Sequence, residues 1–352
     1  MTTNERVKRM YEHREADRIP VMDSPWGSTV ERWEREGLPK GVDYRDYFGL
    51  DKTAQIDCDN SPRFDWVVHE ENDDYVIMTT NWGATIKNFK HHGGVPQFLD
   101  FKVKDFESWL EAKKRMEFDE SRIPWDMLKR EYPKWKAEGR WISAGLWFGF
   151  DVTHSWFIGT ENFLMAMLEE PEWCLDMYDT FLSLNLKMLD RLWEEGYRFD
   201  EITWPNDMGY KGRTFFSLET YRGMDKPFQK KAVDWAHEHG VYARMHSCGD
   251  IMTFVPDLVE IGMDGLNPLE VKAGMQPLEL KRAYGDRLLL HGGINAVLWD
   301  KPEEITEEIR RVVPVLKENG GYIFASDHSI PESVSLENFR LILDTVKEAG
   351  KY

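Results

Sequence analysis

The sequence predicts an α/β protein, a distorted (β/α)8 barrel of the TIM type in a single domain over residues 1–352. Three observations predict it. Eight short β-type runs recur along the chain, most of them separated by stretches with helical apolar spacing, the alternation that builds a parallel sheet from βα units. A length of 352 residues suits one large α/β domain with insertions. No G-x-G-x-x-G follows the first run, which argues against a doubly wound dinucleotide-binding sheet.

The runs are RIPVM (18–22), KTAQID (52–57), RWISAGLW (140–147), FDEITWP (199–205), VYARM (241–245), DGLNP (264–268), RLLLHGG (287–293) and GYIFAS (321–326). Between them, Thr160 is placed to cap a helix that begins ENFLMAML. Pro171 opens a long helix that stops at Gly196, and SLETYRGMDKPFQKKAVDWAHEHG reads as one helix ending at Gly240. Pro314 should kink or break the helix begun at Lys301, and Ser335 is placed to cap the last one. One interval breaks the rhythm. Residues 58–140 hold DYVIMTTNWGATIKN, which reads as a hairpin about Asn81-Trp82-Gly83, and two helical stretches. This insertion between strands two and three leaves from the end of strand two, and so is expected near the barrel mouth.

Composition narrows function. A net charge of −18 disfavours nucleic acid and anionic membranes as partners. No apolar run approaches the roughly 20 residues of a membrane span. The N-terminus is charged from residue 5 with no apolar core of a signal peptide, and Cys58, Cys174 and Cys248 are too few for a disulfide framework. A soluble cytoplasmic protein is expected, with a homodimer allowed. The 15 Trp and 19 Phe are expected mostly in the core.

In such barrels the chemistry gathers at the carboxyl ends of the strands. Read in order, those ends are DSPWG, DCDN, PNDMG, HSCGD, NPLE, HGG and SDHS, a concentration of titratable and metal-capable groups. In YARMHSCGD a strand stops at His246 and Cys248, one residue apart, so an imidazole and a thiol can converge on one zinc ion. The spacing leaves the third ligand open among His328, Asp327 and Glu270, with a fourth position free for water or substrate. The competing reading is a buried thiol beside a hydrogen-bonded loop histidine. Asp207, following strand four, is expected to face the cavity and to act in catalysis with Glu270. Asp57, Asn206, His291 and Asp327 are expected to bind substrate. Cys174 reads as core, Arg63 as a surface ion pair, and the His91–Gly94 stretch as a surface loop.

Taken together, DRIPV, WPNDMG, HEHGVYARMHSCGD, GLNPLEVKAGM, LHGGIN and YIFASDHSIP resemble the uroporphyrinogen decarboxylase superfamily, in order, from about Arg18 to the C-terminus. The resemblance implies a distorted (β/α)8 barrel and one of two activities. One branch decarboxylates porphyrinogen acetates without a cofactor. The other contains zinc methyltransferases that work with corrinoid proteins. The arginine-rich stretch with which the decarboxylases hold carboxylates is replaced here by VMDSPWGSTVERW, and His246-x-Cys248 matches the methyltransferase ligands. Where those enzymes carry a third ligand cysteine, SDHSIP places His328, which puts the branch that acts on coenzyme M in doubt. The resemblance therefore implies a zinc-dependent methyltransferase moving a methyl group from a methylated small molecule, such as an aryl methyl ether, to a corrinoid protein. The alternative is a cofactor-free decarboxylase of a porphyrinogen or related carboxylic acid. The D-x-H-x-x-G signature of corrinoid binding is absent, since Asp151–His154 has the wrong spacing, so the corrinoid is expected on a separate partner.

Overall fold

A computed structural model describes residues 1–91 and 94–352; of the His91–Gly94 stretch, His92 and Gly93 therefore lie outside the described residues. The strands in chain order are β1 (Thr53–Asp57), β2 (Val67–Glu71), β3 (Tyr75–Thr79), β4 (Ala84–Phe89), β5 (Gln97–Phe101), β6 (Trp141–Gly145), β7 (Glu201–Pro205), β8 (Gly209–Tyr210), β9 (Arg213–Thr214), β10 (Tyr242–His246), β11 (Gly265–Asn267), β12 (Leu289–His291) and β13 (Tyr322–Ile323). Seven of them form one parallel sheet in the order β1-β6-β7-β10-β11-β12-β13, so all their carboxyl ends share a face.

The expected first strand is the exception. Among residues 18–22 the one parallel bridge is Val21 to Phe324, beyond β13, and Arg18 bridges antiparallel to Lys351 near the C-terminus. Pro20 has no N–H to donate, which limits the ladder. On the other side no ladder forms with β1. Asp51 fills that gap, accepting from the Val21 N–H at 2.8 Å, from Arg6 at 2.5 Å and from Arg18 at 2.6 Å. The result is a curled half-barrel of the TIM type, open between residues 21 and 53. Solvent reaches the inner side chains Gln55 and Asp57 of β1, while Ala54 and Ile56 on its other face are buried.

The inner face is layered. At the amino-terminal end the helix Thr3–Tyr11 plugs the sheet, with Tyr11 stacked 4.3 Å from Tyr242 and 5.4 Å from Trp141 among Val7, Met10, Leu289 and Ile323. The middle layer is polar. Glu201, 1% exposed, accepts from Tyr11 Oη at 2.5 Å, Ser143 Oγ at 2.7 Å and Arg244 Nη2 at 2.8 Å. Donors of this kind are what a buried carboxylate requires.

The hairpin is β3–β4, and it is flanked by β2 and β5 in a four-stranded antiparallel sheet. Those outer strands escape a sequence reading because VVHEE and QFLDF lack clean alternation. Trp82 at the turn stacks on Trp147, just past the end of β6, with ring centroids 5.8 Å apart. The helices bring three further corrections. Gly159, not Thr160, precedes the helix Thr160–Glu169, and Thr160 Oγ1 instead meets His154 Nδ1. The stretch after Ser217 is broken by a wide π-type turn, Tyr221–Asp225. Pro314 does not break Pro302–Leu316; the helix runs through it and ends two residues later, at Leu316. Ser335 caps the last helix through the Asn338 N–H. No described helix is long and apolar enough to cross a membrane.

A candidate metal centre at the strand ends

β10 alternates. Ala243 and Met245 are fully buried against the helices, while Tyr242, Arg244 and His246 face inward. His246 is the last strand residue, and the turn beyond it is held by its own backbone. Asp207 Oδ1 accepts from the Cys248 N–H at 2.7 Å, and Glu270 Oε2 accepts from the Gly249 N–H at 2.6 Å. Gly249 has φ +81°, and a Cβ there would overlap the backbone of Gly209 and Tyr210. Gly249→Ala is therefore expected to destabilise the protein by about 1–3 kcal/mol and to displace Cys248. Thermal unfolding together with thiol accessibility checks this; an unchanged melting temperature would refute the close approach.

The turn brings His246 Nε2 to 3.4 Å from Cys248 Sγ and 3.6 Å from Asp207 Oδ1. Among the described residues, Asp207, His246 and Cys248 are the group whose ligand atoms gather closely enough to hold one metal ion, all within 4.8 Å of one another. Imidazole, thiolate and carboxylate are each zinc ligands. The surroundings also suit a cation. Burial, then the carboxylates of Asp207, Glu270 and Asp151, push the Cys248 thiol far up, so it keeps its proton until positive charge arrives. Burial and Asp207 push Asp151 up to about 7. Burial holds the His246 imidazole below its ordinary range.

A cavity of about 360 Å³ contains this cluster, with Asp23, Asn267, His291, Ser326 and His328 among its lining. His328, expected as the third ligand, lines the cavity but lies against Trp26, with ring centroids 6.3 Å apart; the carboxylate that converges on His246 and Cys248 is that of Asp207. His291 also lines the wall, its Nε2 3.0 Å from the Met22 carbonyl, and burial with nearby Arg244 lowers it to about 4, so it is neutral.

Four expected site residues stand elsewhere. Asn206 is fully buried behind the wall, donating to Asp225 and accepting from the Asp151 N–H. Asp327 is also fully buried and organises backbone, accepting from the N–H groups of Val271 and Ala296 at 2.8 and 2.7 Å. Glu270 shapes the Gly249 turn and pairs with Lys272. Asp57 opens on a separate cleft with Cys58, Trp82 and Trp147. Arg63 is engaged by Asp59 and Asp119.

Two acids of the site were not foreseen. Asp23 lines the cavity and accepts from the N–H and Oγ of Ser326; burial pushes it up to about 7. Asp151 stands where a second wide turn, Val152–Phe157, begins. The position of Asp23 just past the first β-type run was a usable signal. Nothing in the sequence marks the wide turn.

A curled parallel sheet with a titratable cluster at its carboxyl ends defines an enzyme of the TIM-barrel type. The chain belongs to the uroporphyrinogen decarboxylase family, whose model matches residues 153–349. Among curated proteins it is similar to the uroporphyrinogen decarboxylase of Vesicomyosocius okutanii subsp. Calyptogena okutanii, 27% identical over 95 residues, which are 27% of this chain and 28% of that protein. It is also similar to that of Chloroherpeton thalassium, 26% identical over 142 residues, 39% of each chain. The matched stretch thus spans well under two thirds of these relatives. Among solved structures it is similar to a methyltransferase from Methanosarcina mazei, at 16% identity and a TM-score of 0.63 over 99% of both chains, a likeness of fold.

Proposed function

We propose that this protein is a zinc-dependent methyltransferase that passes a methyl group from a methylated small molecule, such as an aryl methyl ether, to a corrinoid carried by a separate protein. The observation that carries the reading is the convergence of His246 Nε2, Cys248 Sγ and an Asp207 carboxylate oxygen in a carboxylate-rich cavity. His246, Cys248 and Asp207 would hold the ion, with His328 the remaining donor on the same cavity wall. When bound, zinc supplies Lewis acidity toward the oxygen that carries the methyl group. The chain supplies the rest. Asp207 and Glu270 grip the two N–H groups that aim Cys248, so little conformational entropy is left to lose. Asp23 and Asp151, both pushed up to about 7, can hold or release a proton beside the departing oxygen. Trp26, on a neighbouring cleft of about 490 Å³ that shares His328, offers an apolar ring to an aromatic substrate. That cleft opens on the mouth, where the corrinoid partner would dock.

The decarboxylase reading draws on the names of the curated relatives. It needs cations for a polycarboxylate. Arg244 and Arg45, which line a further cleft on the inner face, and Lys272 at the mouth are already paired, with Glu201, Asp43 and Glu270 in turn. Metal analysis of protein purified without chelators separates the readings. About one equivalent of zinc is expected, and formation of methylcobalamin from cob(I)alamin and 2-methoxyphenol should require it. Zinc below about 0.1 equivalent after exposure to excess metal would sink the proposal.

A further inference from the structure

Arg244 has only N–H groups to offer, and its place is fixed. Its Nη2 donates to Glu201 at 2.8 Å, and its Nη1 donates to Asn267 Oδ1 at 2.6 Å. The Asn267 oxygen must therefore face Arg244, and its Nδ2 faces His246 Nδ1 at 3.0 Å. An amide N–H₂ can only donate, so Nδ1 must be the lone-pair nitrogen. A proton there would set donor against donor. The single ring proton is left on Nε2, the nitrogen that faces Cys248 and Asp207. A histidine that binds a metal normally has the reverse arrangement, with its outer N–H given to a carboxylate or carbonyl and its lone pair on the ion.

We propose that Asn267, oriented by Arg244, is a positioning residue that holds His246 in its Nε2–H tautomer and thereby weakens ion capture at this site. Its consequence for zinc rests on the functional reading above; the tautomer itself does not. For Nε2 to take an ion, the ring proton must transfer to Nδ1 through solvent. The Asn267 amide must then turn to present its oxygen, which sets its N–H₂ against Arg244. The chain thus resists loading until that contact is given up.

Asn267→Asp removes the conflict, because a carboxylate accepts from Arg244 and from a His246 Nδ1–H at once. Zinc affinity, read by competition with a chromophoric chelator, should rise about 10–100-fold. Nitrogen NMR of the metal-free unaltered chain should show His246 with its proton on Nε2. A proton on Nδ1, or a folded Asn267→Asp chain that binds zinc no more tightly than an unaltered chain that also binds it, overturns the proposal. Should that variant not fold, the tautomer of the unaltered chain decides alone. If the proton is on Nε2 and neither chain takes up zinc, the tautomer assignment holds and the zinc reading falls.

Discussion

Cys248→Ala is expected to empty the site of zinc and to lower methyl transfer about 1,000-fold or more, with the fold intact. The side chain is half-buried and bonds through its backbone N–H, which alanine keeps, so the turn gripped by Asp207 and Glu270 should survive. What is lost is the thiolate, which supplies both a strong zinc bond and the charge that balances the ion. His246→Ala should behave alike, and Asp207→Asn should weaken the ion while also loosening the Cys248 N–H. Because the thiol is pushed up by burial and three carboxylates, zinc uptake displaces a proton that the site holds firmly. Apparent affinity should therefore rise with pH. Elemental analysis and circular dichroism on each variant check this. Full zinc content in a folded Cys248→Ala chain would remove the thiol from the ligand set.

Arg244→Met is expected to destabilise the protein by about 3–5 kcal/mol, since it leaves a buried carboxylate without its cation. Burial by itself would raise Glu201, but Arg244, with the hydroxyls of Tyr11 and Ser143, lowers it to about 2. A depressed carboxyl contributes stability above its unfolded value of 4.5 and loses it as pH falls toward 2. The gap between the unaltered and Arg244→Met chains should accordingly be full at neutral pH and shrink across that window. Denaturant unfolding at several pH values measures it. A gap that stays constant down to pH about 2 would show that the pair is not what holds the middle layer.

Much of the fold was legible. Short β-branched and aromatic runs separated by helical spacing require parallel βα units, and seven of the eight runs lie in the sheet. The eighth, RIPVM, fell short because one proline removes a ladder donor. That His246 and Cys248 stand together at a cavity was legible because they follow one another at the end of a strand, one residue apart. Asp207 was legible as the first acid past a strand end. Glu270 and Asp327 share that signal but hold backbone N–H groups, and the neighbouring amide Asn206 is taken up by the buried acid Asp225. Which role a strand-end acid takes depends on turn geometry one or two residues away, and local spacing does not carry it.

By itself the sequence determined the strand–helix alternation and the placing of an imidazole and a thiol together at the end of one strand, because these depend on side-chain period and on the chemistry of neighbouring residues. Tertiary structure alone decided that Asp207 rather than His328 converges on that pair, that the barrel stays open beside Asp51, and that Arg244 reaches His246 through Asn267. Each of these joins residues from strands far apart in the chain. Such contacts are settled by register and packing between strands, which no single segment encodes.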